Sequence, residues 1–468
     1  MFRRHIMSSN SGSVRVINEK TSLLVIAGPM FLELLLNILL NNMDTLMLSH
    51  YSENSVGAVG NANQVMFLVI ITFNIIATAI SVVVAQYLGA KRYDQMNMIY
   101  TMALLVNIAF GIVLSGLLVL GKGVITTFLN VSDSMLPDTQ TYITIVGGGL
   151  FLQAGYNVML QILRCNGYTK IGMYISIAIN LINIGGNYLF LYGPLKYLDL
   201  GVAGVAISTV TARVVALIFA LAFFYRKKIG KIDLKLLNPF PGRILAKMIK
   251  IGLPSAGENF AYSFYQMVLL SFINTMGDDS VNARVYCNSL IAFSMVLASS
   301  TAMATQIITG HLVGAGKEEA AYKRVLKTLK VTLPITIGIS SLNCAISPFT
   351  LRIFTSNEAI IKMGLIIMAV DIFIETGRCL NMTVIYSLKA AGDYVYPLII
   401  GLITMVFLGT VGGYCYGVLL GFGVAGIYAG TASDECVRGL IVLSHWRRRK
   451  WFGKRVVDDG DAEKTPAN

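Results

Sequence analysis

Apolar residues run along this chain in long blocks rather than at intervals. Stretches of about 20 residues or more, the length an α-helix needs to cross a bilayer, recur between short polar segments. They fall at 23–48, 56–84, 97–120, 139–163, 171–193, 201–224, 248–275, 285–309, 326–347, 361–386, 394–417 and 420–444. Twelve helices are therefore predicted, and the fold class is an all-α membrane protein. The segment before the first block, Met1–Lys20, is polar and basic, and the block after it is too long for the short core of a cleaved signal peptide.

Composition agrees with the pattern: 55% of the 468 residues are hydrophobic and 13% are charged. That is about half the charge fraction of an ordinary soluble chain, so a soluble enzyme is disfavoured. The formal net charge of +13 does not point to nucleic acid, because the basic residues are placed by topology. With the N-terminus inside, 30 Lys and Arg fall in cytoplasmic segments and five outside: Lys122, Lys196, Arg284, Arg352 and Lys362. Such asymmetry orients a membrane protein, and here it predicts both termini in the cytoplasm.

The sequence also repeats at a lag of 225 residues. Ile26–Pro29 falls on Ile251–Pro254, Ser55-Val56 on Ser280-Val281, and Gly89-Ala90 on Gly314-Ala315. An even number of spans per repeat gives two six-helix bundles of the same orientation, related by a pseudo-two-fold axis along the membrane normal. The expected organisation is an N-terminal tail over 1–21, an N-lobe over 22–224, a basic, Pro-broken linker over 225–247, a C-lobe over 248–445 and a C-terminal tail over 446–468.

Charged and amide side chains inside the blocks are the candidate chemistry, since a carboxylate in hydrocarbon is costly and those that persist usually face a cavity. On the first helix Glu33, Asn37, Asn41 and Asp44 share one face, and on the seventh Glu258, Tyr262 and Gln266 do so. Helix 4 carries Gln153, Asn157, Gln161 and Arg164. Asn180, Asn183 and Asn187 line helix 5, followed by Ser208 and Thr209 on helix 6; neutral oxygens beside a carboxylate suit a small hard cation such as Na⁺. Asp371 and Glu375, one turn apart on helix 10, are like charges that do not both ionise readily.

Each has a plainer reading. Glu33 can brace a helix contact, Asp44 can sit near the outer surface in water, and Arg378 can form an internal ion pair with Glu375. The amides can glue helices together, and Asp434-Glu435 with Arg438 can form an ion pair at the inner end of helix 12. Arg213, midway along helix 6, has no assigned role. The six cysteines lack metal or disulfide spacing, the four histidines show no ligand spacing, and no GxSxG, Walker or HExxH motif occurs. No cofactor and no catalytic residue is expected, nor a nucleic-acid partner.

The chain resembles the multidrug and toxic compound extrusion family over about 22–445. The motifs that carry the likeness are Asn41-Asn-Met-Asp44-Thr-Leu-Met-Leu, Gln86-Tyr-Leu-Gly-Ala-Lys, Gly310-His-Leu-Val-Gly-Ala-Gly-Lys, Leu163-Arg-Cys-Asn-Gly, Asn183-Ile-Gly-Gly-Asn187 and Leu388-Lys-Ala-Ala-Gly-Asp393. The resemblance implies two six-helix bundles forming a V and cation-driven efflux of organic, usually cationic, drugs by alternating access. It implies Asp44 as the first-lobe coupling carboxylate, with Asn183, Asn187 and Thr209 as neighbours, although family members often have Asp where Asn187 stands. In the second lobe some members place a helix-7 Glu at the position of Tyr262, one turn beyond Glu258; Asp371 and Glu375 occupy the helix-10 region of a coupling carboxylate.

The expected ion-coupling set is then Asp44, Asn183, Asn187, Thr209, Glu258, Asp371 and Glu375, with H⁺ or Na⁺ as the ion. The expected substrate cavity is Glu33, Asn37, Asn157, Gln161, Asn180, Tyr262, Gln266 and Arg378. A monomer in a bacterial inner membrane is expected. The competing readings are a flippase of a lipid or lipid-linked saccharide, which would want a strongly basic cavity, and a membrane-embedded enzyme.

Overall fold

The computed structural model describes residues 17–129 and 131–457, without the side chains of Asn41, Asn42, Asp44, Thr45, Glu53 and Asn74. The described chain is helical and contains no strand. In the first repeat the helices are α1 (Leu23–Ser49), α2 (Glu53–Gly89), α3 (Tyr93–Phe128), α4, α5 (Thr169–Leu191) and α6 (Gly201–Arg226). In the second they are α7 (Gly242–Asn274), α8 (Asp278–Gly314), α9 (Glu318–Phe354), α10 (Glu358–Ala390), α11 (Val395–Leu419) and α12 (Gly423–Arg447). Helix α4 is two limbs, Leu136–Gly147 and Leu150–Cys165, bent by 42° where the first limb ends in the π turn Ile143–Gly147.

The repeat reappears in the element boundaries. Glu53 and Asp278 open α2 and α8, and Gly89 and Gly314 close them, each pair 225 residues apart. Several helices overrun the apolar blocks: α9 has 37 residues against the 22 of block 326–347. At ~1.5 Å per residue it is nearly twice as long as a ~30 Å hydrocarbon core. Hydropathy marks only the part of a helix that meets lipid, while its backbone hydrogen bonds continue into the interface.

Eight of the helices are long enough and contain a stretch apolar enough to cross a membrane, and the bent α4 makes a ninth. The other three, α7, α10 and α12, carry the buried charges described below. Their charges face protein, which offsets the cost of placing them at membrane depth.

Two compact units form. Among described residues, the first comprises 32–84 and 91–252 and the second 17–31, 85–90 and 253–457. The head of α1 thus belongs to the second unit and the head of α7 to the first. Each helix changes unit beside its proline, Pro29 in α1 and Pro254 in α7, where one backbone hydrogen bond is missing.

The first unit packs around Val59, Met66, Phe73, Ile143, Leu150 and Val205, and the second around Leu269, Ile291, Met368, Ile374, Met405 and Ile427. Lipid is as apolar as these side chains, so contact quality rather than exclusion from water holds the helices together. Glycines set the closest approaches. A Cβ at Gly314 would lie 2.0 Å from the Gln86 carbonyl oxygen, and one at Gly89 2.1 Å from that of His311.

After α12 the chain folds back on the second unit. Trp446 and Trp451, both fully buried, stack with ring centroids 4.0 Å apart. The Gly453 N–H donates to Glu318 Oε1 (2.9 Å) and Lys454 Nζ to Asp393 Oδ2 (2.9 Å). The Val456 N–H donates to Gln86 Oε1 (2.7 Å), and Gln86 Nε2 donates to the Ala390 carbonyl (2.7 Å). Gly392, at φ +95°, leaves room for this segment: a Cβ there would lie 1.9 Å from the Lys454 carbonyl oxygen.

Candidate functional site

The helix contacts of the second unit bring its charges together. Gly377 of α10 lies against α12 so closely that a Cβ would be 2.7 Å from the Cys436 backbone nitrogen. Gly413 of α11 and Gly430 of α12 meet in the same way, at 2.5 Å. With these backbones in contact, Arg378, next to Gly377, reaches Glu435. Its Nε lies 3.7 Å from Glu435 Oε1, while its Nη1 contacts Glu375 one turn back on α10. Arg438 Nη2 pairs with Asp434 Oδ2 at 2.7 Å and Glu435 Oε2 at 3.4 Å. Asn381 Nδ2 donates to Glu435 Oε2 at 2.8 Å. Farther along the same face of α10, Lys389 Nζ pairs with Glu258 Oε2 of α7 at 2.8 Å.

Asp371 is the exception. It is 1% exposed, and both carboxylate oxygens are buried without a hydrogen-bond partner. It lines a cavity of about 240 Å³ with Tyr262, Gln266, Arg284, Asn288, Arg378 and Tyr428. Arg284 Nη2 donates to Gln266 Oε1 at 3.2 Å, and Tyr428 Oη to Asn288 Oδ1 at 3.0 Å. A second cavity of about 230 Å³ is lined by Glu258, Asn381, Tyr386, Lys389, Glu435 and Arg438. Tyr262, Met295 and Arg378 line both.

Five carboxylates (Glu258, Asp371, Glu375, Asp434, Glu435) thus face Arg378, Lys389 and Arg438, with Arg284 at the rim. Four of these carboxylates share the three cations Arg378, Lys389 and Arg438, and Asp371 is paired with none. Each cavity is smaller than the roughly 300 Å³ at which drug-sized pockets begin. An ion with its water fits either.

The first unit holds the other candidates. Arg164 Nη2 pairs with Glu33 Oε1 at 2.6 Å, both side chains buried. Gly172 of α5 gives the carboxylate its space, since a Cβ there would lie 2.5 Å from Glu33 Oε2. Glu33 therefore braces α1 against α4. On α5 and α6, Asn187 Nδ2 donates to Asn183 Oδ1 (3.1 Å) and Asn183 Nδ2 to Thr209 Oγ1 (3.2 Å), a continuous relay. Asn180 Nδ2 donates to the Ser176 carbonyl at 2.6 Å, and Gln153 Nε2 to Asn157 Oδ1 at 2.7 Å. Gln161 is half-buried and Asn37 exposed on the helix surface. Arg213 Nη1 reaches the Val146 carbonyl, in the π turn of α4, at 3.5 Å. The side chain of Asp44 lies outside the described residues.

Apart from Asp44, the expected ion-coupling residues fall in two groups, Asn183, Asn187 and Thr209 in the first unit and Glu258, Asp371 and Glu375 in the second. Of the expected cavity residues, Tyr262, Gln266 and Arg378 line cavities of the second unit, and the other five belong to the first. Sequence reasoning gave no role at the site to Lys389, which it placed in the Leu388–Asp393 motif and among the cytoplasmic charges, or to Arg284, counted as an external one. It also confined Asp434, Glu435 and Arg438 to an ion pair on their own helix. The available signal was periodicity: Asp371, Glu375, Arg378 and Lys389 fall at i, i+4, i+7 and i+18 on one face of α10.

The MatE family model matches residues 29–189 and 254–415, once in each repeat. The uncharacterized transporter YisQ of Bacillus subtilis is 35% identical over 440 residues, covering 94% of this chain and 97% of that protein. The probable multidrug resistance protein NorM of Thermotoga maritima is 22% identical over 444 residues, 94% of each chain. In structure, the fold is similar to that of a MOP superfamily transporter from Pyrococcus furiosus, with a TM-score of 0.85 at 19% identity over 94% of this chain and 98% of that one.

Proposed function

This chain belongs to the MatE family of membrane transporters, and from that premise we propose that it exports organic, cationic compounds in exchange for H⁺ or Na⁺ by alternating access. The proposed orientation has both termini in the cytoplasm, and the proposed setting is a bacterial inner membrane, with the monomer as the working unit. The observation that carries the coupling half of the reading is Asp371: a buried carboxylate with no partner, beside carboxylates that all have one. A single H⁺ or Na⁺ at this position would neutralise the one carboxylate of the cluster that has no cation partner.

The mechanism follows from charge exclusion. A cationic compound is favoured near Asp371 while the carboxylate is charged and loses that attraction once an ion occupies it. Linkage demands the converse, that the compound expels the ion. Arg378 would hold the site in register, fixed by Glu375 and Glu435, while Tyr262 and Tyr428 would offer aromatic faces for cation–π contact. Neutral oxygens of the Asn183–Asn187–Thr209 relay give the first unit a second candidate position for the ion.

The test is efflux of a fluorescent cationic dye from proteoliposomes under a pH gradient or a Na⁺ gradient imposed separately. One gradient alone is expected to drive transport in the wild type, and Asp371→Asn is expected to abolish that drive. Full ion-driven transport by Asp371→Asn would remove the residue from the mechanism; no movement under either gradient would remove the antiport reading itself.

A further inference from the structure

The largest of the cavities described, about 630 Å³, lies elsewhere in the second unit, between residues 19–27 at the head of α1 and the facing sides of α8 and α9. Its volume falls among small-molecule sites, which span roughly 300–1,000 Å³. Its lining changes character from one end to the other. Lys20, Arg324 and Lys327 stand at the mouth. The one acid there, Glu19, is taken by Lys317 at 2.9 Å, and Arg324 reaches only the Glu19 backbone carbonyl, at 3.4 Å. Among the described residues no carboxylate pairs with any of the three cations.

Deeper in, Thr301, Thr328 and Thr332 are buried, and Thr328 Oγ1 has no hydrogen-bond partner. The far walls are Leu24, Val331 and Ile335, which are 79%, 51% and 46% exposed, so this end opens sideways onto the apolar surroundings of the helices. Cations, then a buried unpartnered hydroxyl, then open apolar walls match a lipid from phosphate to acyl chain.

We propose that this cavity binds an anionic phospholipid, with its phosphate against Arg324, Lys20 and Lys327, its ester region at Thr328, and an acyl chain along Leu24, Val331 and Ile335. The proposed orientation bears only on which leaflet supplies it. A cationic substrate would meet three uncompensated positive charges at the mouth, and a free anion would leave the apolar walls unused. Residues 17–31 pack with the second unit, so the lipid would fasten the head of α1 there.

Native mass spectrometry of the full-length, delipidated protein, titrated with phosphatidylglycerol or phosphatidylcholine of equal chain length, tests the assignment. Phosphatidylglycerol should bind more tightly. Arg324→Gln with Lys327→Gln should weaken it by roughly 30-fold, about fivefold per charge lost near the surface, leaving phosphatidylcholine unchanged. Lys327→Glu, a reversal at an exposed position, should do the same without touching the half-buried Arg324. The same charge loss at distant surface positions, Lys196→Gln with Lys362→Gln, should have no effect. Equal affinity for the two lipids overturns the proposal, as does equal phosphatidylglycerol binding by the two double variants. Displacement by millimolar inorganic phosphate would reduce the cavity to a simple anion site and overturn it too.

Discussion

Two acidic side chains of similar chemistry, Glu33 and Asp371, have opposite circumstances. Glu33 is held by Arg164 at 2.6 Å, and Asp371 by nothing. Removing one member of a buried pair strands the other charge, at a cost of about 3–5 kcal/mol, whereas replacing both with apolar groups is often neutral. Glu33→Gln should therefore lower the thermal unfolding midpoint in detergent sharply, and Glu33→Leu with Arg164→Met should recover most of it. If Glu33 instead contacts substrate, Glu33→Gln will alter transport and leave the midpoint in place. The sequence allowed both readings, because a buried carboxylate is recognisable from its place in an apolar block and its partner 131 residues away is not. The charged face of α10 was legible for the opposite reason: Asp371, Glu375 and Arg378 are spaced by helical geometry alone. Lys389 was lost because a base at the end of an apolar block reads as cytoplasmic until α7 presents Glu258 to it.

Between elements, glycine decides how near two backbones can come. At Gly314 an added Cβ would have to displace the Gln86 backbone, and overpacking of this kind typically costs about 1–3 kcal/mol. Gly314→Leu should accordingly reduce stability and the yield of monodisperse protein. Gly316, two residues later at φ +72° with nothing within 4 Å, should accept Asn, which tolerates this backbone region; a Gly316→Asn variant as unstable as Gly314→Leu would place the cause in the turn rather than in the contact. Element order and the 225-residue repeat were visible in the sequence, since hydropathy and turn residues are local. The lengths were not, because helices continue beyond the lipid, and neither was the unit change at Pro29 and Pro254, which depends on what each helix head packs against.

For the whole molecule, the asymmetry of basic residues gives an orientation that intact cells can check. With a membrane-impermeant thiol reagent, a cysteine placed at Lys196 should label from outside and one at Lys231 only after the membrane is opened, both on a background lacking native cysteines. The reverse pattern would invert the proposed topology and, with it, the direction assigned to transport. The fold-back after α12 adds an optical property at this scale. Trp446 and Trp451 are the chain's two tryptophans; Trp446, in the last turn of α12, stacks on Trp451 of the fold-back. Indole emission from this protein therefore comes from a single spot, so a change in it on adding a ligand or lipid reports whether the C-terminal fold-back has moved, and unfolding followed by that signal times the release of this segment rather than the loss of either helical unit.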